Sequence, residues 1–124
     1  MSEEQGRVLS AKDFLSQRLQ TFEVVLPDDS GIILIRELSG GERDELEHKL
    51  ARGRRNNDDY RKVRAYAVAM SMVDESGAKM FDKGSDKDIR AINELSGRVL
   101  NAIFDEILTR NGMKAQVVEE LEKN

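Results

Sequence analysis

Residues 21–36 read TFEVVLPDDSGIILIR, and this stretch decides the fold. Residues 21–26 and 31–36 are rich in β-branched and aromatic side chains, which suit a pleated, half-buried surface. Between them stands Pro27-Asp28-Asp29-Ser30. Proline presets one backbone dihedral and aspartate tolerates unusual ones, so these four residues carry turn chemistry. A β-hairpin over residues 20–37 is therefore expected. Phe22, Val24 and Leu26 alternate with Glu23 and Val25, so one face of the hairpin can be buried.

Downstream of the hairpin the periodicity changes from two to between three and four. Ser39 with Glu42 has capping-box spacing, with Leu46 and Leu50 one turn apart behind it. Gly53 and Asn56-Asn57 interrupt that helix. A second is expected from Asp58 or Asp59, with Val63, Tyr66, Ala67, Met70 and Val73 on one stripe. Asp74-Glu75-Ser76-Gly77 stops it, and Met80 and Phe81 read as an extended segment returning to the core. Residues 86–110 give the cleanest apolar face: Ile89, Ile92, Leu95, Val99, Leu100, Ile103, Phe104, Ile107 and Leu108. Gly97 can kink or split this stretch, and Asn111-Gly112 supplies a left-handed cap. A last short helix is expected to carry Val117, Val118 and Leu121.

Upstream, residues 1–9 are polar and expected to be disordered. Ser10 with Asp13 can cap a short helix with Ala11, Phe14, Leu15 and Leu19 on its apolar side. These elements add up to an α+β, mainly helical, single domain over residues 1–124, with a hairpin followed by a helical part over residues 39–122. Hairpin and helical stripe are expected to share one core, with Phe22, Val24, Leu100 and Phe104 buried.

Composition narrows the function classes. Of 124 residues, 39% are hydrophobic, but only four are Phe, two Tyr and none Trp, so the core is thin and a partner would add burial. The net charge of −4 argues against nucleic acid, whose phosphates call for a basic surface. The lack of cysteine excludes disulfides, a thiol nucleophile and cysteine-based zinc sites. The polar, acidic Met1-Ser2-Glu3-Glu4-Gln5 is unlike a signal peptide. No apolar run approaches the ~18 residues that suggest a membrane span.

Four motifs invite chemistry, and each has a plainer explanation. Leu38-Ser39-Gly40-Gly41-Glu42 resembles the signature loop of ABC ATPases, but the Gly-rich phosphate loop that must accompany it is missing, which favours a helix start. Asp82-Lys83-Gly84-Ser85-Asp86-Lys87-Asp88 suggests calcium, yet Gly84 is misplaced for an EF-hand and two lysines oppose a cation. His48, the single histidine, lies among Glu45, Glu47 and Lys49 with no recognisable nucleophile or orienting group. Arg52, Arg54 and Arg55 suit the negative end of a helix dipole, and binding to an acidic partner stays open for them. No catalytic, cofactor or metal residues are therefore assigned, and a binding protein rather than an enzyme is expected. The stripe from Ile89 to Leu108 is wide, so part of it is a candidate groove for a partner helix. The candidate partner-binding residues are Leu95, Val99, Ile103, Ile107 and Met113, with Arg52, Arg54 and Arg55.

The order of segments carries a family resemblance. A short helix precedes Phe22-Glu23-Val24-Val25-Leu26-Pro27. Then come Ile33-Leu34-Ile35-Arg36-Glu37-Leu38-Ser39-Gly40 and Glu42-Arg43-Asp44. Val73-Asp74-Glu75-Ser76-Gly77, Met80-Phe81, the Val99 to Leu108 helix, Asn111-Gly112-Met113, Val118-Glu119-Glu120 and Lys123-Asn124 complete the series. In this order the chain resembles the tail assembly chaperones of long-tailed bacteriophages. The resemblance implies a homo-oligomeric factor of the host cytoplasm, absent from the mature virion. It would bind the helical tape measure protein, keep it soluble and help recruit tail tube subunits. Met70, Met72, Met80 and Met113 offer adaptable contacts for such work. The alternatives are a small acidic regulatory or nucleic-acid-associated protein using Arg52, Arg54 and Arg55, and an enzyme subunit with borrowed catalytic residues.

Such families often make a longer second product by a backward ribosomal slip of one base near the gene's end. Glu122-Lys123-Asn124 can be encoded as GAA-AAA-AAY, which contains a slippery heptanucleotide. Glu, Lys and Asn are also common at solvated helix ends, and many codon choices avoid the heptanucleotide; where the gene carries it, mass spectrometry of infected cells should find a minor, longer protein sharing residues 1–122. Codons that avoid the heptanucleotide exclude the slip at this site.

Overall fold

The computed structural model of the chain describes residues 6–53 and 57–114, with residues 53 and 57–61 described by their backbone alone. Residues 1–5, Arg54, Arg55 and the expected last helix with Val117, Val118 and Leu121 lie outside the described residues. The described residues form an α+β, mainly helical fold. The elements are α1 (Ala11–Leu15), β1 (Thr21–Val25), β2 (Ile32–Arg36), α2 (Gly40–Gly53), α3 (Asn57–Ser71), β3 (Met72–Val73), α4 (Asp86–Asn93) and α5 (Gly97–Arg110).

The hairpin forms as its composition predicts. β1 and β2 pair antiparallel with Phe22 opposite Ile35 and Val24 opposite Ile33 on the core face. The turn needs two left-handed residues, and Asp28 (φ 62°) and Asp29 (φ 55°) supply them. Aspartate visits that region more readily than most side chains. The Leu26 N–H closes the turn onto the Gly31 carbonyl at 2.9 Å.

A third strand was not expected. The stripe through Val73 predicts a helix to that residue, but α3 ends at Ser71 and Met72–Val73 pairs with β2, Leu34 opposite Val73 and Ile35 opposite Met72. The cause lies in the Asp74 to Ala78 turn. There the Asp74 N–H donates to the Ala78 carbonyl and the Gly77 N–H to the Asp74 carbonyl, each at 2.9 Å. The chain doubles back so that the Met80 N–H reaches the Met72 carbonyl at 3.1 Å. Met80 is exposed rather than returned to the core, whereas Phe81 packs against it.

The long apolar stretch splits as Gly97 suggested. Ser85 caps α4, accepting the Asp88 N–H, and Ser96 caps α5, accepting the Arg98 N–H. At the far end of α5, Gly112 (φ 66°) takes the left-handed position. The Met113 N–H reaches the Leu108 carbonyl at 2.8 Å and the Gly112 N–H the Thr109 carbonyl at 3.2 Å. That pair of bonds is a Schellman cap, and both Met113 and Leu108 are buried, as its accompanying apolar contact requires.

The core gathers around α3, whose residues 65–71 are all buried. Ile35 from the sheet, Leu46 from α2, Ile89 and Ile92 from α4, and Leu100, Ile103 and Ile107 from α5 join it in one cluster. Val24 and Leu100 are buried as expected, but Phe22 and Phe104 are only half-buried at its margin. Phe22 lies on the outermost strand, and the guanidinium of Arg110, 4.7 Å from the ring centroid, covers it. Truncating the fully buried Ile107 to Ala should cost about 2–5 kcal/mol, and Phe104→Ala should cost less than the ~3–5 kcal/mol of a fully buried Phe. Urea unfolding with unchanged slopes would measure both.

Candidate partner-binding surface

The Leu38 to Glu42 motif folds as a helix start. The Ser39 N–H donates to Glu42 Oε1 at 2.9 Å, and the Glu42 N–H donates to Ser39 Oγ at 3.2 Å. This reciprocal pair satisfies two free donors of α2. The second carboxylate oxygen of Glu42 meets Lys79 Nζ at 2.9 Å and Arg36 Nη2 at 3.5 Å. Burial of the Glu42 carboxylate alone pushes its pKa up. The Ser39 N–H, the Lys79 hydrogen bond and the charges of Lys79 and Arg36 outweigh that and hold it below the usual value. Nearby, Asn111 Oδ1 accepts the Leu38 N–H at 2.9 Å while its amide donates to the Ile107 carbonyl at 2.7 Å. Arg43 Nη1 donates to the Asn111 carbonyl at 3.1 Å. These groups fasten the sheet to α2 and α5.

The calcium-like segment spends its acids on its own backbone. Asp82 Oδ1 accepts the Gly84 N–H and Asp88 Oδ2 accepts the Asp82 N–H, both at 2.8 Å. Among the described residues no group of three or more His, Asp or Glu side chains is placed to hold a metal ion. His48 is exposed on α2. No helix among the described residues is long and apolar enough to cross a membrane.

The expected partner surface has to be redrawn. Ile103, Ile107 and Met113 are buried in the core, so they are packing residues and offer nothing to a partner. The buried part of their stripe goes against α3, which packs on both α4 and α5. Leu95 remains exposed at the corner between α4 and α5, and Val99 is half-buried beside it. The Arg98–Asp28 ion pair, 2.6 Å long, flanks that corner. Arg52 is exposed near the end of α2. Arg54 and Arg55 lie outside the described residues.

Two apolar surfaces stand exposed, and the first was not expected from the sequence. The sheet's outer face carries Val25 opposite Ile32 and Glu23 opposite Leu34. Ile32, Leu34, Val73 and Met80 line a groove of about 660 Å³ there, edged by Glu23, Asp74 and Glu75. The signal was present: Val24-Val25-Leu26 and Ile32-Ile33-Leu34-Ile35 are apolar at successive positions, which puts apolar groups on both faces. The second surface is α1, which forms behind its Ser10 cap but buries none of its own residues. Its expected apolar side exists but covers nothing: Phe14 is 61% and Leu15 77% exposed.

Comparison with protein-family models, curated proteins and solved structures finds no match to this chain. The Glu42 cluster makes its own prediction. A depressed carboxylate pKa stabilises the fold above the unfolded value of about 4.3, and this contribution is lost as pH falls through the lower folded value. The Glu42→Gln variant should therefore be less stable at neutral pH and lose less stability on acidification, as measured by urea unfolding against pH. Ser39→Ala should cost about 0.5–2 kcal/mol through loss of the cap.

Proposed function

We propose that this chain is a phage tail assembly chaperone. In this reading it binds helical segments of a tape measure protein in the host cytoplasm, keeps them soluble, helps recruit tail tube subunits and is left out of the mature virion. The observation that carries the proposal is a well-filled core surrounded by apolar groups that the chain leaves uncovered: Leu95, Ile32, Met80, Phe14 and Leu15. Single exposed apolar residues are ordinary, but several bulky ones suit a protein covered by other protein. The segment order of the sequence supports the same conclusion.

The physical task fits. A long helix with an apolar stripe aggregates if it is left bare before the tube closes around it. A chaperone for it needs an apolar seat with a polar rim and a fold that holds its shape between encounters. At the α4–α5 corner, Leu95 and Val99 present apolar area beside the Arg98–Asp28 pair. A helix meeting this corner would be read through apolar residues three or four apart, the spacing of one helical face.

Co-expression with a tape measure segment tests this. The segment should move from the insoluble to the soluble fraction and co-purify with the chain. Leu95→Asp should reduce co-purification about tenfold, equivalent to ~1.4 kcal/mol. Because Leu95 is exposed, the melting temperature should stay unchanged. A segment equally insoluble with and without the chain overturns the proposal. Salt-dependent DNA binding in its place would favour the basic-cluster alternative.

A further inference from the structure

We infer that the N-terminal arm around α1 docks into the outer-sheet groove of a second copy of this chain, joining copies head to tail. The inference takes up only the homo-oligomer that the family resemblance implies and does not depend on tape measure binding.

The arm is built to be covered. Ser10 Oγ accepts the Asp13 N–H at 3.1 Å and Ser16 Oγ donates to the Asp13 carbonyl at 2.8 Å, so both ends of α1 are capped. Yet Val8, Phe14 and Leu15 project into solvent. A helix this short has too few internal bonds to persist in water unaided, so a surface to lie on must supply the difference. The groove offers the matching apolar floor in Ile32, Leu34 and Met80.

Charge agrees in sign. Between residues 6 and 20 the arm carries Arg7, Lys12 and Arg18 against Asp13 alone. The ionisable groups lining the groove are Glu23, Asp74 and Glu75, all acidic. Lys79, the nearest lysine in sequence, is drawn away to Glu42 and the Met70 carbonyl.

The arm stands clear of its own chain's groove, since α1 buries none of its residues there, which leaves it for another copy. The Gln20 carbonyl accepts the Glu37 N–H at 2.8 Å, and the Gln20 N–H donates to Glu37 Oε1 at 3.1 Å. These bonds extend the β1–β2 ladder past Thr21, so the arm leaves at the end of the sheet away from the turn. Ile32 stands at the turn end, opposite Val25. Four residues of strand, about 13 Å, separate the two ends. Arm and groove are different patches on one chain, so each copy can give and receive, and repetition yields rings or open spirals.

The test is light scattering on the full chain and on two variants. Wild type should grow with concentration beyond a dimer, and about tenfold more protein should be needed in high salt because the rim charges are exposed and screened. A Phe14→Asp, Leu15→Asp variant and an Ile32→Glu, Met80→Glu variant should each stay monomeric. Their equimolar mixture should stop at a one-to-one dimer, since one supplies an intact groove and the other an intact arm. Should the groove variant fail to fold, charge reversal replaces it. Glu23→Lys with Glu75→Lys should abolish growth, and Lys12→Glu with Arg18→Glu on the other copy should restore it. Wild type that stays monomeric at every concentration, variants that associate like wild type, or a mixture that remains monomeric would each overturn the inference. Tape measure capture by the monomeric variants is scored separately. Its loss alongside intact arm exchange counts against the proposed function alone.

Discussion

One constraint organises the molecule: the last two turns of α3 must be dry on every side. Ala65, Tyr66, Ala67, Val68, Ala69, Met70 and Ser71 are all buried, so this helix has no solvent face there. Six of these seven residues are hydrophobic, and a helix with so little polar surface has to be enclosed. The sheet, α2, α4 and α5 all contribute side chains to its enclosure. The three alanines keep its surface shallow, so neighbouring backbones can approach closely and large side chains such as Leu46, Leu100 and Ile107 fill the space between elements. A chain with few aromatics buries its core this way, through small residues on the central helix and branched aliphatics around it.

Polar groups close the ends of that enclosure. The Lys79 amine donates to the Met70 carbonyl at the C-terminal end of α3 and to the Glu42 carboxylate in the first turn of α2. A cation at the one end and a carboxylate at the other both suit the helix dipoles. Asn111 does comparable work between the sheet and α5, satisfying the Leu38 N–H and the Ile107 carbonyl with one side chain. Tyr66 sends its hydroxyl out to Glu45 while Lys49 sits 4.2 Å from its ring centroid. The junctions between elements are therefore specified by charge-assisted and amide hydrogen bonds, and the space between them by apolar packing.

This division bears on what the protein can do. Residues that looked available on α5 are consumed by the enclosure of α3. The bulky apolar residues that stay exposed sit on the periphery: the α4–α5 corner, the outer face of the sheet and the arm before β1. Peripheral apolar groups on ordered elements give an adaptable contact surface without putting the core at risk.

The sequence by itself determined the features whose bonds close within a few residues. The hairpin turn at Pro27 to Ser30, the Ser10 and Ser39 caps, the split near Gly97 and the Gly112 terminus are all legible, because cap and turn chemistry depends on near neighbours in the chain. The alternation of Phe22, Val24 and Leu26 likewise indicated which face of β1 turns inward. Burial and pairing between distant segments were decided only by the tertiary structure. Nothing local distinguishes Ala65 or Ala69 in an enclosed helix from an alanine on a surface. Nothing local says that Met72 and Val73 leave a helical pattern to pair with Leu34 and Ile35, or that Ile103 and Ile107 face α3 rather than a partner. An apolar face shows that a side chain will be covered. What covers it depends on which element of the chain arrives there first, and that is settled only when the whole core closes.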